Sequence, residues 1–451
     1  MTNPGPSVAH VLGGDVGRHA RSGGPWRAAG PWAMLALTIS WLVLMLRQTA
    51  CLRGGDAYQN MCYTDITALF YWRGVRDGLI PYLEADLEYP VLTGMLIEFS
   101  RRIVNLLGGQ TYPGLEGEAL SHSAGLFFGV SAVLMFAGFV LLVWTHLKMS
   151  RPWDALMIAA SPAVMTTALI NWDALVVALT SLALLAWSRK RPGWTGIWLG
   201  LGVAAKLYPL LVLVPLAVLC LRSRRWRPFF VTAGATAASW LAVNLPVYLL
   251  APQGWLNFWG FNVDRGADLG SIWYVLQLAG LPVEGISLWI AGLMVVGTLA
   301  IGALLLFAPR RPRLAQGVFL IVTLFLLVNK VYSPQYVLWL LPLLVLARPR
   351  WLDWTIFSVA ELAYFMAIWA HLGEMTATGF GGEDRIYMAA VLLRLGVQLW
   401  LCVQVIRDAW NPARDIVRSG GLDDPDGGLL DGRPDAPWLV SLRSRLPSRS
   451  P

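Results

Sequence analysis

Apolar residues gather in long runs that recur from residue 31 to residue 406, with short polar or basic stretches between them. A helix needs about 20 residues to cross about 30 Å of hydrocarbon, so such runs read as membrane spans. The pattern predicts spans over Pro31–Ala50, His122–Leu147, Ala155–Ile170, Ala174–Ser188, Phe229–Leu250, Ile286–Phe307, Leu314–Val328, Gln335–Ala347, Trp351–Ala370 and Ile386–Ile406. The expected fold is therefore an all-α polytopic membrane protein with about 10–12 transmembrane helices.

Two runs depart from the simple pattern. Pro90–Leu107 is apolar but contains Glu98, Arg101 and Arg102. Charges at the centre of a span are costly, so this segment reads as an amphipathic helix at the membrane interface. Gly193–Leu221 has basic clusters at both ends, which requires an even number of crossings, yet it is too short for two full spans. It is expected to form a short hairpin with its apex near Lys206-Leu207-Tyr208-Pro209. Irregular backbone at that depth is tolerated only against protein or a water-filled cavity, so the apex points to a site.

Charge orients the chain. Lys148 with Arg151, Arg189-Lys190-Arg191, the arginines of 222–227, Arg310 to Arg313, and Arg348 with Arg350 mark cytoplasmic loops by the positive-inside rule. This accounts for 35 Lys and Arg against 27 Asp and Glu without invoking nucleic acid. With 56% hydrophobic and 14% charged residues, a soluble chain is excluded. The domain plan is a disordered cytoplasmic tail over 1–30 with no cleavable signal, a membrane domain over 31–406, and a second disordered cytoplasmic tail over 407–451. Residues 51–118 form a first extracytoplasmic loop that carries the interfacial helix, and Cys51 and Cys62 within it are placed to form a disulfide.

On this topology the unusual polar residues collect at the outer face: Asp65, Glu88, Asn171, Asp173, Asn262, Arg265, Lys330, Gln335 and His371, with Tyr63, Tyr89, Tyr332 and, at the hairpin apex, Lys206 and Tyr208. Each alone has an ordinary explanation, such as a solvated loop acid, a helix-end residue or a snorkelling lysine. Together, acids, isolated cations, amides and aromatics from distant parts of the chain suggest a polar-substrate site. The cations suit a phosphate and the aromatics suit sugar rings. No Walker-type loop, zinc-ligand pattern or Gly-x-Ser-x-Gly elbow is present, so neither an ATPase, a metal site nor a serine hydrolase is supported.

The set Cys62-Tyr63-Thr64-Asp65, Glu88-Tyr89-Pro90-Val91-Leu92-Thr93-Gly94, Asn171-Trp172-Asp173-Ala174-Leu175, Ala204-Ala205-Lys206-Leu207-Tyr208-Pro209 and Tyr332-Ser333-Pro334-Gln335-Tyr336 resembles the GT-C polyprenyl-phosphate-sugar-dependent glycosyltransferases, specifically the actinobacterial glycosyltransferase family 87 group. The resemblance implies a GT-C-like bundle in the plasma membrane and an extracytoplasmic active site. It further implies Asp65 as general base and an inverting transfer from a polyprenyl-phosphate sugar, mannose first, to a glycolipid or envelope glycan acceptor. It implies no metal or other cofactor, and no partner beyond these substrates and membrane lipids. Arabinofuranose is the alternative sugar. A transporter or flippase of a lipid-linked sugar is the alternative of another class.

Overall fold

The computed structural model describes residues 28–376 and 383–445. The expected tail segments 1–27 and 446–451 lie outside the described residues. All named elements among the described residues are helical.

The chain enters through α1 (Ala29–Leu52), and two helices follow in the first loop, α2 (Asp65–Trp72) and α3 (Val91–Leu106). The Pro90–Leu107 segment is thus a helix, and Glu98 pairs with both Arg101 and Arg102 on it, which reconciles charge with an otherwise apolar segment. Helix α4 (Gly117–Leu147) is 31 residues long and begins five residues before the expected start.

The expected span Ala155–Ile170 is broken into α5 (Ala155–Ala159) and α6 (Pro162–Thr167). Pro162 cannot donate a backbone hydrogen bond, and Ser161 takes an extended conformation ahead of it. Carbonyls near the break are satisfied from α1, where Ser40 Oγ donates to Ala159 O at 2.7 Å and Arg47 Nη2 donates to Thr166 O at 2.5 Å. A broken helix persists in a membrane protein only when its backbone groups find such partners.

Helix α7 (Asp173–Ser188) leads to α8 (Pro192–Ala205), which ends where Lys206 turns extended. A tight turn over Tyr208–Val212 then starts α9 (Leu213–Arg222), so the short hairpin has its apex at Lys206 as expected. Helix α10 (Trp226–Leu250) packs closely on α8. A Cβ at Gly200 would meet Ser239 Oγ at 1.9 Å, so only glycine permits this approach.

Two short helices, α11 (Pro252–Asp264) and α12 (Ile272–Leu278), precede α13 (Ile286–Phe307), whose surface is left almost wholly uncovered by the rest of the protein. Helices α14 (Leu314–Val328) and α15 (Val337–Ala347) are buried on nearly every side. Helices α16 (Trp351–Leu372) and α17 (Arg385–Trp410) close the bundle. Among the described residues, six helices, α1, α4, α10, α13, α16 and α17, are long and apolar enough to cross a bilayer. The remaining apolar runs form shorter helices, so the expected 10–12 helices are not all of full spanning length.

The expectation of a disordered segment after Arg407 is corrected. Residues 411–445 lie against the basic end of the bundle and end in α18 (Pro437–Arg445). Asp415 pairs with Arg313 at 2.7 Å, Asp423 with Arg311 at 2.7 Å and with Arg310 at 3.0 Å, and Asp435 with Arg222 at 2.8 Å. Trp187 Nε1 donates to Gly427 O at 2.9 Å. The acids of this segment match arginines more than 100 residues away, and such pairing gives it a fixed place that composition alone does not reveal.

Candidate functional site

The site begins at the end of α1. Cys51 and Cys62 are joined by a disulfide in the structure, which closes the loop between them. Arg47 Nη1 donates to Met61 O at 2.6 Å while its other arm holds the α5–α6 segment, so the turn entering α2 is fixed from beneath. Thr64 caps α2: its hydroxyl accepts from Ile66 N and donates to Leu169 O at 2.5 Å. The Asp65 backbone N–H donates to Ile170 O at 2.8 Å. These contacts fix Asp65 in the first turn of α2, where the helix dipole favours a carboxylate, and bring it beside Asn171.

Around the carboxylate, Tyr63 OH donates to Oδ1 at 2.9 Å and Asn171 Nδ2 donates to Oδ2 at 2.9 Å. Tyr89 OH lies 3.4 Å from Oδ2, and Asn171 also donates to the Tyr89 hydroxyl at 2.5 Å. An ionised carboxylate has about four acceptor positions, so Asp65 retains capacity for a substrate hydroxyl. Burial pushes the Asp65 carboxyl above the usual carboxylate range, while the hydrogen bonds from Tyr63 and Asn171 and the charge of Lys206 act in the opposite sense. Burial and the adjacent Asp65 push the Tyr63 hydroxyl up, which keeps it a donor.

Asp65 lies on the wall of a cavity of about 610 Å³, a volume typical of small-molecule sites. The structure brings Tyr63, Glu88, Tyr89, Asn171, Lys206, Tyr208, Asn262, Arg265, Lys330 and Gln335 to the same wall. The hairpin apex of α8–α9 therefore meets the first loop, the end of α11 and the loop after α14 in one place. Glu88 pairs with Arg73 at 2.8 Å. Asn262 Nδ2 donates to Phe258 O at 2.7 Å, Arg265 pairs with Asp268, and Lys330 Nζ donates to Val263 O at 3.0 Å.

Lys206 sits in a cage. Its Nζ is 3.4 Å from Asp173 Oδ1 and between 5.3 and 5.8 Å from the ring centres of Tyr89, Tyr336 and Trp339. Two aromatic walls face the cavity. Tyr208, Trp339 and Tyr336 stack in sequence with centroid spacings of 4.5 and 4.0 Å. Tyr58, Tyr63 and Trp369 form the second, with spacings of 5.5 to 6.1 Å. Among the described residues, Gln335 Oε1 and Trp369 Nε1 are buried with no hydrogen-bond partner, and both residues line the cavity. Buried polar atoms of this kind are uncommon and fit a site that a polar ligand completes.

Three expected contact residues lie off the wall. Asp173 is fully buried behind it, where it accepts from Trp339 Nε1 at 2.7 Å and holds Lys206. Tyr332 is turned into the bundle, where Gln398 donates to its hydroxyl at 2.7 Å and the Arg394 guanidinium lies 3.5 Å over its ring. His371 Nδ1 lies 3.0 Å from Asp384 Oδ2, and its ring is stacked on Tyr387. In the other direction, Asn329 and Tyr336 entered the sequence reading only as the ends of the polar run over 329–336, and Tyr58, Trp339 and Trp369 were missed as wall residues. The spacing of Tyr336 and Trp339, three apart at the start of a helix, was the available signal for those two. Tyr58 carried none.

The model of glycosyltransferase family 87 matches residues 119–329, just under half of the chain. No curated protein matches the chain. The match supports a membrane glycosyltransferase. It includes Asn171, Asp173, Lys206, Tyr208, Asn262 and Arg265 but not Asp65, Glu88 or the segment from Lys330 to Tyr336. The part given to Asp65 therefore rests on its geometry and on the sequence resemblance.

Proposed function

We propose that the protein transfers a sugar from a polyprenyl-phosphate donor to a hydroxyl of a glycolipid or envelope glycan at the extracytoplasmic face of the plasma membrane. The observation that carries this reading is the meeting, in one cavity, of a carboxylate with free acceptor capacity, three cationic side chains and two aromatic walls. Lys206, Arg265 and Lys330 supply the cations.

In the proposed step the acceptor oxygen attacks the anomeric carbon and the bond from that carbon to the donor phosphate oxygen breaks. The bonding pair leaves with the polyprenyl phosphate, and the acceptor proton passes to Asp65. A phosphate is already a good leaving group, so one positioned base and cationic stabilisation of the departing oxygen are sufficient. A single displacement inverts the anomeric centre. Stacked tyrosines and tryptophans offer flat apolar faces to a sugar ring, and the apolar wall residues Phe258, Phe261 and Phe325 suit the first isoprene units.

Mannose is the first sugar to test and arabinofuranose the second. Membranes carrying the protein should transfer label from one of these lipid-linked donors to an endogenous or added acceptor. Movement of the intact lipid-linked sugar across the membrane without transfer would support a flippase instead.

A further inference from the structure

A second cavity, of about 550 Å³, lies among the residues that end α7 and α9 and begin α8 and α10. Helices α8 and α9 run from it to the Lys206 apex, so it lies at the end of the hairpin away from the catalytic cavity. Its walls are Lys190, Pro192, Arg224, Arg225, Trp226, Arg227, Pro228, Val231 and, from the C-terminal segment, Leu429. Four of these are cations and none is an acid.

Several other arginines at this end are neutralised within the protein. Arg222, Arg310, Arg311, Arg313, Arg348 and Arg418 are all matched with carboxylates, several of them from the C-terminal segment. That segment contributes Leu429 to the cavity wall but no acid. It is locked there, since Gly428, with a left-handed φ of 60°, passes so close to Trp187 O that a Cβ would come within 1.9 Å. Among the described residues, Lys190, Arg224, Arg225 and Arg227 have no ion pair.

The backbone turns the first two of these cations in a costly way. Helices α7 and α9 each end in a turn closed by a left-handed residue, the position where glycine is favoured. Here Lys190 has φ 61° and Arg224 has φ 52°. The following residue bonds back in each case, Arg191 N to Ala186 O at 3.0 Å and Arg225 N to Cys220 O at 2.8 Å. Two cations at two helix ends thus line one cavity. Beside them α10 exposes Trp226 at 40%, Phe230 at 64% and Val231 at 42%, an apolar flank suited to lipid rather than to water.

We infer that this cavity binds the phosphate of an anionic phospholipid headgroup, with the acyl chains lying against the exposed face of α10. Basic pockets between membrane helices hold such headgroups, each nearby cation adding to the attraction. These four cations line the cavity without an ion pair among the described residues, and they are the docking charges.

The test uses the full-length protein in nanodiscs of phosphatidylcholine with added phosphatidylglycerol, followed by gentle delipidation and native mass spectrometry. The wild type should retain phosphatidylglycerol in preference to phosphatidylcholine. Arg224→Gln with Arg227→Gln should weaken retention about 10- to 30-fold. Arg189→Gln with Arg191→Gln removes the same charge from exposed neighbours that do not line the cavity, and should leave retention nearly unchanged. Equal loss in the two double variants would reduce the effect to general surface attraction and overturn the site. Displacement of the lipid by millimolar inorganic phosphate would assign the cavity to a free anion and overturn the lipid. Unchanged thermal stability of the Arg224/Arg227 variant shows that a loss of retention comes from binding and not from unfolding.

Discussion

Asp65 and Lys206 carry opposite burdens within one cavity. The carboxyl is pushed up by burial, and the donors Tyr63 and Asn171 oppose that shift. As the proposed general base, Asp65 must be deprotonated to act, so the acid limb of kcat/KM should fall at a pH above the value of about 3.9 for an ordinary aspartate. Tyr63→Phe removes a hydrogen bond to the charged form, which should move that limb to higher pH still. A pH–rate profile of the two proteins checks both statements. Lys206 is tied to a fully buried carboxylate, Asp173. Lys206→Met should therefore lower stability by about 3–5 kcal/mol, because it leaves the buried Asp173 without its partner cation. Adding Asp173→Asn should recover most of that stability but not donor binding. Thermal unfolding and a donor-binding assay on the single and double variants separate the two roles.

At the scale of elements, the loop from Asn329 to Tyr336 is held from inside the bundle. Arg394 lies between the rings of Tyr332 and Tyr364, at 3.5 and 4.2 Å, pairs with Glu361 at 2.9 Å, and donates to Tyr332 O. Arg394→Leu leaves Glu361 buried without its cation and should cost about 3–5 kcal/mol. Cross-linking or labelling at Lys330 should show the loop loosened. This anchor was not legible in the sequence, where Tyr332 read as a ligand contact and Arg394 lay unremarked inside the expected span Ile386–Ile406. The hairpin apex at Lys206 was legible, because basic clusters at both ends of a short apolar run leave no other threading. The break at Ser161-Pro162 was legible in principle, yet hydropathy averages over it. Asp65, Asn171 and Lys206, which the cavity brings together, were singled out only as members of a set of unusual polar residues, since each alone had an ordinary explanation. Trp339 and Trp369 were missed because tryptophan is expected at every membrane interface.

For the whole molecule, the C-terminal segment and the bundle form one unit, a result of pairings across more than 100 residues that no local pattern reports. Asp424 sits in that seam, accepting from Leu314 N at 3.1 Å, and burial pushes its carboxyl up to about 6. A raised folded-state value means that its contribution to stability is fully present below the unfolded value of about 3.9 and is lost as pH rises through about 6. Asp424→Asn should therefore stabilise the protein at pH 7 and have little effect near pH 4, as read by thermal unfolding at the two pH values. The C-terminal segment and the cavity holding Asp65 lie at opposite ends of α14, whose 15 residues span about 22 Å, so the chemistry should be insensitive to Asp424. Glycosyl transfer is tested most directly by comparing wild-type and Asp65→Asn protein, in membranes, for sugar transfer from polyprenyl-phosphate mannose and polyprenyl-phosphate arabinose. The wild type should transfer one of the two sugars, and Asp65→Asn should bind that donor yet transfer about 10²- to 10⁴-fold more slowly. Near-normal transfer by Asp65→Asn, or none by the wild type with either donor, would contradict it.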